Sequence, residues 1–517
     1  MEIVLWLLWP TLAVVSLLYC LAHTRRAGTG RMPPGPTPLP LVGNVLSLGG
    51  NLHHTLARLA RAYGPVMTLK LGLTTAVIVS SRDAAWEAFA KHDRRLAARA
   101  IPDAARALGF SDRSMIWLPS SDPLWKSLRG IVATNVFSPR SLAVALDVRQ
   151  RKVRDMVSYF RDCAGTELDV GQALYGGVLN LVSSSFCSVD VVDMGGQSAQ
   201  GVRKLVEDLI EVIAKPNVSD LFPFLGPLDL QGWRRWTEIR FEKIFLILDG
   251  IIDRRMAAAN ASTEKQGDFL DSLLELLSTG KMARDSLTTI VFEVIAAGSD
   301  AMSITLEWAM AELLRNPSVM AKVRAEIDDA LGGKETIGEN DAAGLPYLQA
   351  VVKEAMRLHP VVPILLPRRA VEDGVEIGGY AVPKGSTVIF NAWAMMRDPA
   401  AWERPDEFIP ERFLGKADQV VDFRGKAFEF IPFGSGRRLC PGVPMAERVV
   451  PFILASLLHA FEWRLPDGGS AAELDVSERF TTANVMAVPL KAVPVVVHIS
   501  ARNGFLQQNS SREDMST

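Results

Sequence analysis

Cysteine is scarce in this chain. Among 517 residues there are four, Cys20, Cys163, Cys187 and Cys440. No two stand as C-x-x-C, and they are too scattered for a disulfide framework, so a reducing compartment is the simpler reading. The seven histidines form no H-E-x-x-H and share no zinc-like spacing with the cysteines, which argues against a zinc enzyme. No G-x-G-x-x-G stands between a strand and a helix, which removes a nicotinamide or flavin site from the chain itself. A charge surplus is missing too. With 56 basic against 58 acidic residues the net charge is -2, and no basic run points to nucleic acid. Nothing mid-chain has the composition of a linker, and no repeat of solenoid period appears. Hydrophobic residues make up 48%, enough for one large core.

What is present begins at the N-terminus. From Ile3 to Ala22 run about 20 uncharged residues, dominated by Leu, Val, Trp and Ile and long enough to cross a bilayer as a helix. Arg25, Arg26 and Arg31 follow, whereas only Glu2 precedes. The positive side stays cytosolic, so the body is expected in the cytosol. A cleaved signal would carry its charges on the other side. In that orientation the glycosylation patterns at Asn217 and Asn260 would not be used. Pro10 is tolerable within a membrane helix. Pro33-Pro34-Gly35-Pro36-Thr37-Pro38-Leu39-Pro40 then reads as a stiff extended spacer. The expected organisation is an anchor over 1–24, a basic and proline-rich hinge over 25–44, a catalytic domain over 45–500 and a polar tail over 501–517. The catalytic body reads as mainly α with minor β sheets. A strand pair is expected over 66–80, helices from Leu142 to about Leu314 with a break near 216–227, and β-rich stretches at 361–381 and 481–498.

One cysteine keeps unusual company, in Phe433-Gly434-Ser435-Gly436-Arg437-Arg438-Leu439-Cys440-Pro441-Gly442. Gly434 and Gly436 permit tight turns without a Cβ, so that amide N–H groups can face a sulfur. A thiolate needs such donors, because burial alone raises its pKa and leaves it neutral. Arg438 supplies a cation suited to a carboxylate. Gly442 lets the following helix, 445–459, begin close to a flat ligand.

The decapeptide resembles the haem-binding signature of the cytochrome P-450 family, F-x-x-G-x-R-x-C-x-G, with Phe433, Gly436, Arg438, Cys440 and Gly442 at its fixed positions. The resemblance implies haem b with Cys440 as axial thiolate and Arg438 on a propionate. A thiolate ligand pushes electron density onto iron and favours O–O cleavage. Leu348, Val351, Val352, Ala355 and Met356 form the apolar face of a helix carrying Glu354 and Arg357. Pro410-Glu411-Arg412-Phe413 follows, and in this order the resemblance makes Glu354, Arg357 and Arg412 a buried structural triad. Trp125 and Arg129, four apart, resemble the family's propionate-binding W-x-x-x-R helix, and Arg368 is assigned the same role. Electrons are then expected from NADPH through a separate membrane-bound NADPH–cytochrome P-450 reductase, with the anchor in the endoplasmic reticulum membrane. Lys126, Arg424, Lys426 and Arg437 are either its docking face or simply a solvated one.

Asp285 to Arg315 reads as one long helix, and its centre departs from the family. Ala297, Gly298 and Asp300 fit the oxygen-activating pattern, but Ala301 stands where threonine is usual. Alanine has no hydroxyl with which to pass a proton to bound dioxygen, and neither Ser303 nor Thr305 is an obvious replacement. Three readings follow: a monooxygenase that uses water or a substrate hydroxyl, an oxygen-independent haem-thiolate isomerase or dehydratase, or an impaired haem-binding site. By resemblance the pocket is walled by Phe292, Ile295, Ala297, Ile364, Leu365, Val485 and Met486, which suits a hydrophobic substrate. Ile304 to Pro317 resembles plant geraniol and flavonoid hydroxylases, and the opening and closing segments resemble a grass branch that oxidises labdane-related diterpenes. Hydroxylation of a diterpene is therefore expected, with a monoterpenol or phenolic substrate as the alternative.

Overall fold

The computed structural model describes residues 31–261, 266–331, 333–415 and 421–497. The apolar stretch read as an anchor, Cys20, Arg25, Arg26 and the polar tail lie outside these residues. Helices dominate, and the sheets are small: one of five strands, one of three and two of two among the described residues. The expected mainly helical body with minor sheets is what the chain forms.

Two helices carry the centre. Arg284–Arg315 and Val443–Ala460 are the two described helices long and apolar enough to cross a membrane, yet most of each is buried within the protein, so both are core helices. Arg284–Arg315 (below, the long helix) ends at Asn316, because Pro317 cannot continue the same ladder. It lies against Val170–Cys187, a helix buried along almost its whole length. One glycine gives the Glu307 carboxylate its room: a Cβ at Gly171 would fall 2.4 Å from the Glu307 carboxyl carbon and displace that side chain.

The five-stranded sheet explains how distant residues meet. Val66–Leu71 and Thr74–Val79 pair antiparallel across a tight turn in which Gly72 takes φ +57. Thr74–Val79 then pairs in parallel with Thr387–Phe390, which pairs with Arg368–Arg369, which in turn pairs with Ala98–Arg99. At the inner edge Arg99 stands directly opposite Arg368. Like charges opposed in a sheet repel, so something anionic or strongly polar must lie between or beside them.

Candidate active site

Cys440 is set by a closed loop and a helix start. Its N–H donates to the Phe433 carbonyl at 3.1 Å, and Phe433 packs edge-on against Phe423. Gly434 and Gly436 take φ +73 and +68, a region that favours glycine. The sulfur's donors are not the amides of that turn. They are the backbone N–H groups of Gly442 and Val443, at the start of Val443–Ala460. A helix N-terminus offers unpaired amides and a positive dipole end, which is why the donors come from there. Gly436 serves a different purpose, since a Cβ on it would collide with the Asp93 carboxylate at 2.4 Å. Burial holds the Cys440 thiol above its ordinary range, opposed by those two amides and by Arg129.

Above the sulfur lies a cavity of about 2220 Å³. Trp125, Arg129, Arg368, Phe433, Arg438 and Gly442 all border it together with Cys440. Asp122 caps the helix Pro123–Asn135 by accepting from the Leu124 N–H, and this helix brings in Trp125 and Arg129. Arg129 donates to the Leu439 carbonyl beside the cysteine, and Arg368 reaches Asp93 at 3.1 Å and the Ser435 carbonyl at 2.9 Å. Arg438 donates to the carbonyls of Ala97, Met115 and Leu118, and Trp125 Nε1 to that of Met115. Sequence reading missed one member of this group. Arg99 also borders the cavity and donates to the Ile116 and Leu366 carbonyls. Only its place opposite Arg368 in the sheet reveals it.

These cations are poorly matched. Burial lowers Arg368 and Arg438 to about 10, and burial with its two arginine neighbours lowers Arg99 well below its ordinary value. Among the described residues Asp93 is the one carboxylate drawn to Arg368 and Arg438, and the buried Nε of Arg368 has no partner there. Two carboxylates on a flat ligand would balance the cluster, with the Cys440 sulfur free to meet a metal from below. The residues present therefore fit haem b.

Glu354, Arg357 and Arg412 lie away from the cavity and tie the helix of the first two to the segment 396–412. The Glu354 and Arg357 side chains are 0% exposed and paired two-pronged at 2.7 and 2.9 Å. Arg412 Nε and the Ile409 N–H both donate to the same Glu354 oxygen at 2.9 Å.

Over the cavity runs the long helix. Phe292, Ala297, Asp300 and Ala301 border the space, as do Ile364 and Leu365 from the chain leading to the sheet. Gly298 borders it as well. A Cβ there would sit 3.6 Å from Val182, in ordinary contact, so packing does not demand the glycine. Three expected wall residues are elsewhere. Ile295 lies two residues from Ala297, hence about 200° around the helix, and points into the protein core. Val485 and Met486 belong to the strand Asn484–Met486, paired with Glu478–Phe480, and it is Phe480, Thr482 and Ala483 around the turn that reach the cavity. Asp300 is half-buried on the cavity wall, and desolvation first and Glu207 second push it up to about 7, with Arg203 opposing. Another acid on this helix, Glu293, borders the cavity and was not among the residues the sequence singled out.

The cytochrome P450 family model matches residues 33–485. Among curated relatives, "Cytochrome P450 76M5" of Oryza sativa subsp. japonica is 68% identical, covering 96% of this chain and 99% of that protein. "Oryzalexin D synthase" and "Ent-cassadiene C11-alpha-hydroxylase 1" of the same organism are 63% and 62% identical, each covering 95% of this chain and 99% of the relative.

Proposed function

The chain belongs to the cytochrome P450 family and is a monooxygenase, and on that premise we propose that it hydroxylates a labdane-related diterpene. The observation that carries the substrate reading is identity above 60%, over nearly the whole chain, to rice enzymes named for diterpenoid products or substrates. The mostly apolar cavity wall, with Phe292, Ile364 and Leu365 facing inward, suits such a hydrocarbon skeleton. Electrons reach the site from NADPH through a separate reductase, for which exposed Lys126, Arg424, Lys426 and Arg437 offer a basic face. The body is held at the endoplasmic reticulum membrane by the N-terminal apolar stretch.

Haem b, when bound, supplies iron-centred activation of dioxygen. The protein's own contributions follow from the geometry. Cys440 would ligate the iron, and the Gly442 and Val443 amides temper the charge on its sulfur. Arg99, Arg129, Arg368, Arg438 and Trp125 border the cavity and would hold the carboxylates of the macrocycle. Apolar walls keep the substrate dry and positioned by shape. Asp300, with its pKa near neutrality, can both take and release a proton at its carboxyl oxygens. Ala301 offers no hydroxyl beside it, so the next proton carrier is water or a hydroxyl on the substrate.

The test is reconstitution of the purified protein with a plant reductase and NADPH, against diterpene olefins, their monohydroxylated derivatives, geraniol and a flavanone. Reduction under carbon monoxide in the same preparation reports the thiolate-ligated haem. Oxygenated diterpene as the main product supports the reading. Turnover confined to geraniol or the flavanone overturns the substrate class while leaving the chemistry intact.

A further inference from the structure

Glu293 is an acid on an otherwise apolar stretch of the long helix, within Ile290-Val291-Phe292-Glu293-Val294-Ile295. Fully burying a carboxylate is costly unless donors surround it. Here they do. Ser114 Oγ donates to Oε1, the Met115 N–H donates to Oε2 at 3.0 Å, and the Ile116 N–H donates to Oε1 at 3.3 Å. All three donors belong to one short turn, 114–118. Ser114 also accepts from the Trp117 N–H at 3.2 Å, which tightens the turn.

The carbonyls of that turn have other duties. Met115 O accepts from Trp125 Nε1 at 3.0 Å and from Arg438 at 3.2 Å. Ile116 O accepts from Arg99 Nε at 3.3 Å, and Leu118 O accepts from the second terminal nitrogen of Arg438. The turn is thus an adaptor, with its amide side gripped by one carboxylate and its carbonyl side aiming two cavity arginines and a tryptophan. We propose that Glu293 is a positioning residue for haem: by gripping turn 114–118 it sets Arg99, Arg438 and Trp125 at the haem carboxylates. This inference rests on family membership and not on the diterpene reading, because its test needs no substrate.

The experiment measures haem transfer from the ferric holoenzyme to excess apomyoglobin, with the ferric–ferrous potential as a second readout. Four variants are compared: E293A, E293Q, S114A and, as a control, E307Q. Glu307 is a buried carboxylate on the same helix that accepts from the Leu490 N–H and touches none of the turn. Loss of charge-assisted hydrogen bonds should speed haem release by about tenfold in E293A. E293Q keeps one acceptor oxygen but turns an NH2 towards the other amide, so it should release haem at a rate between those of the unaltered protein and E293A, while S114A should release haem about threefold faster. The potential should fall in E293A, because propionates less well matched by cations favour the ferric state. E307Q should change neither readout. Should E293A not yield holoenzyme, S114A decides, since it removes one hydroxyl and leaves the carboxylate on both amides. Release rates and potentials equal to those of E307Q, in whichever of these variants folds, overturn the proposal.

Discussion

Ala301 and Asp300 are adjacent on the wall of one cavity, and only Asp300 can move a proton. The nearby hydroxyls do not make up the difference. Ser303 donates to the Asp300 carbonyl at 3.0 Å, and Thr305 donates to the Ala301 carbonyl at 2.8 Å, so each is committed to its own helix. Proton delivery therefore rests on Asp300 and on whatever water or substrate hydroxyl lies beside the Ala301 methyl group. Restoring a hydroxyl tests this. In Ala301→Thr, product formed per NADPH consumed should rise by about two- to tenfold, a modest share of what a positioned acid can contribute. Simultaneous measurement of NADPH, peroxide and product checks it. Unchanged coupling would mean that water or the substrate already completes the relay. Asp300→Asn should lower turnover by about a hundredfold while leaving the ferrous–carbon monoxide spectrum intact, because its carboxyl meets protons and not the iron.

Among the elements, the segment around Glu354 has the clearest energetic consequence. Glu354 accepts from Arg357, Arg412 and the Ile409 N–H, while Arg357 also donates to the Met396 and Pro405 carbonyls at 2.9 and 2.8 Å. Removing one partner leaves a buried charge unpaired, at a cost of about 3–5 kcal/mol. Glu354→Ala should accordingly give little holoenzyme on expression, and any that forms should unfold well below the parent in a thermal melt. Elements like these were legible in the sequence wherever a local pattern dictates them. The strand pair at 66–79, the long helix with its stop at Asn316-Pro317, and the helix after Gly442 all follow from periodicity and breakers. Side-chain direction was less legible. Ile295 lies off the cavity because helical phase, not proximity in sequence, decides which residues face inward. Arg99 was invisible because it meets Arg368 only through the pairing of two short strands far apart in the sequence. The donors to Cys440 were misplaced because loop glycines signal a tight turn in sequence, whereas the free amides of a helix start leave no such mark. Glu293 did leave a signal, one acid in an apolar run.

Across the whole molecule, buried carboxyls tie stability to pH. Burial raises Glu293 from 4.5 and Asp300 from 3.8, each to about 7. Between those limits the folded protein holds protons that the unfolded chain has already released. Stability contributed by these groups is full at low pH and is lost as pH rises towards 7. Other groups act in the same window. His53, lowered by burial, works in the opposite direction as pH climbs through its range, while Asp220, raised by burial to about 6, works in the same direction. The absolute melting curve is therefore a sum, and neutral replacements isolate the two acids. Glu293→Gln with Asp300→Asn carries no ionisation cost at either site. Its melting temperature relative to the parent should climb from pH 5 and level off above about pH 7, by an amount corresponding to a few kcal/mol, roughly 1.4 kcal/mol for each tenfold change in an ionisation constant on folding. Differential scanning calorimetry of the two holoproteins at matched ionic strength measures it. A difference that stays flat across that range would mean that both carboxyls ionise in the folded protein as readily as in water, and that their hydrogen bonds and neighbouring cations offset the whole cost of burial.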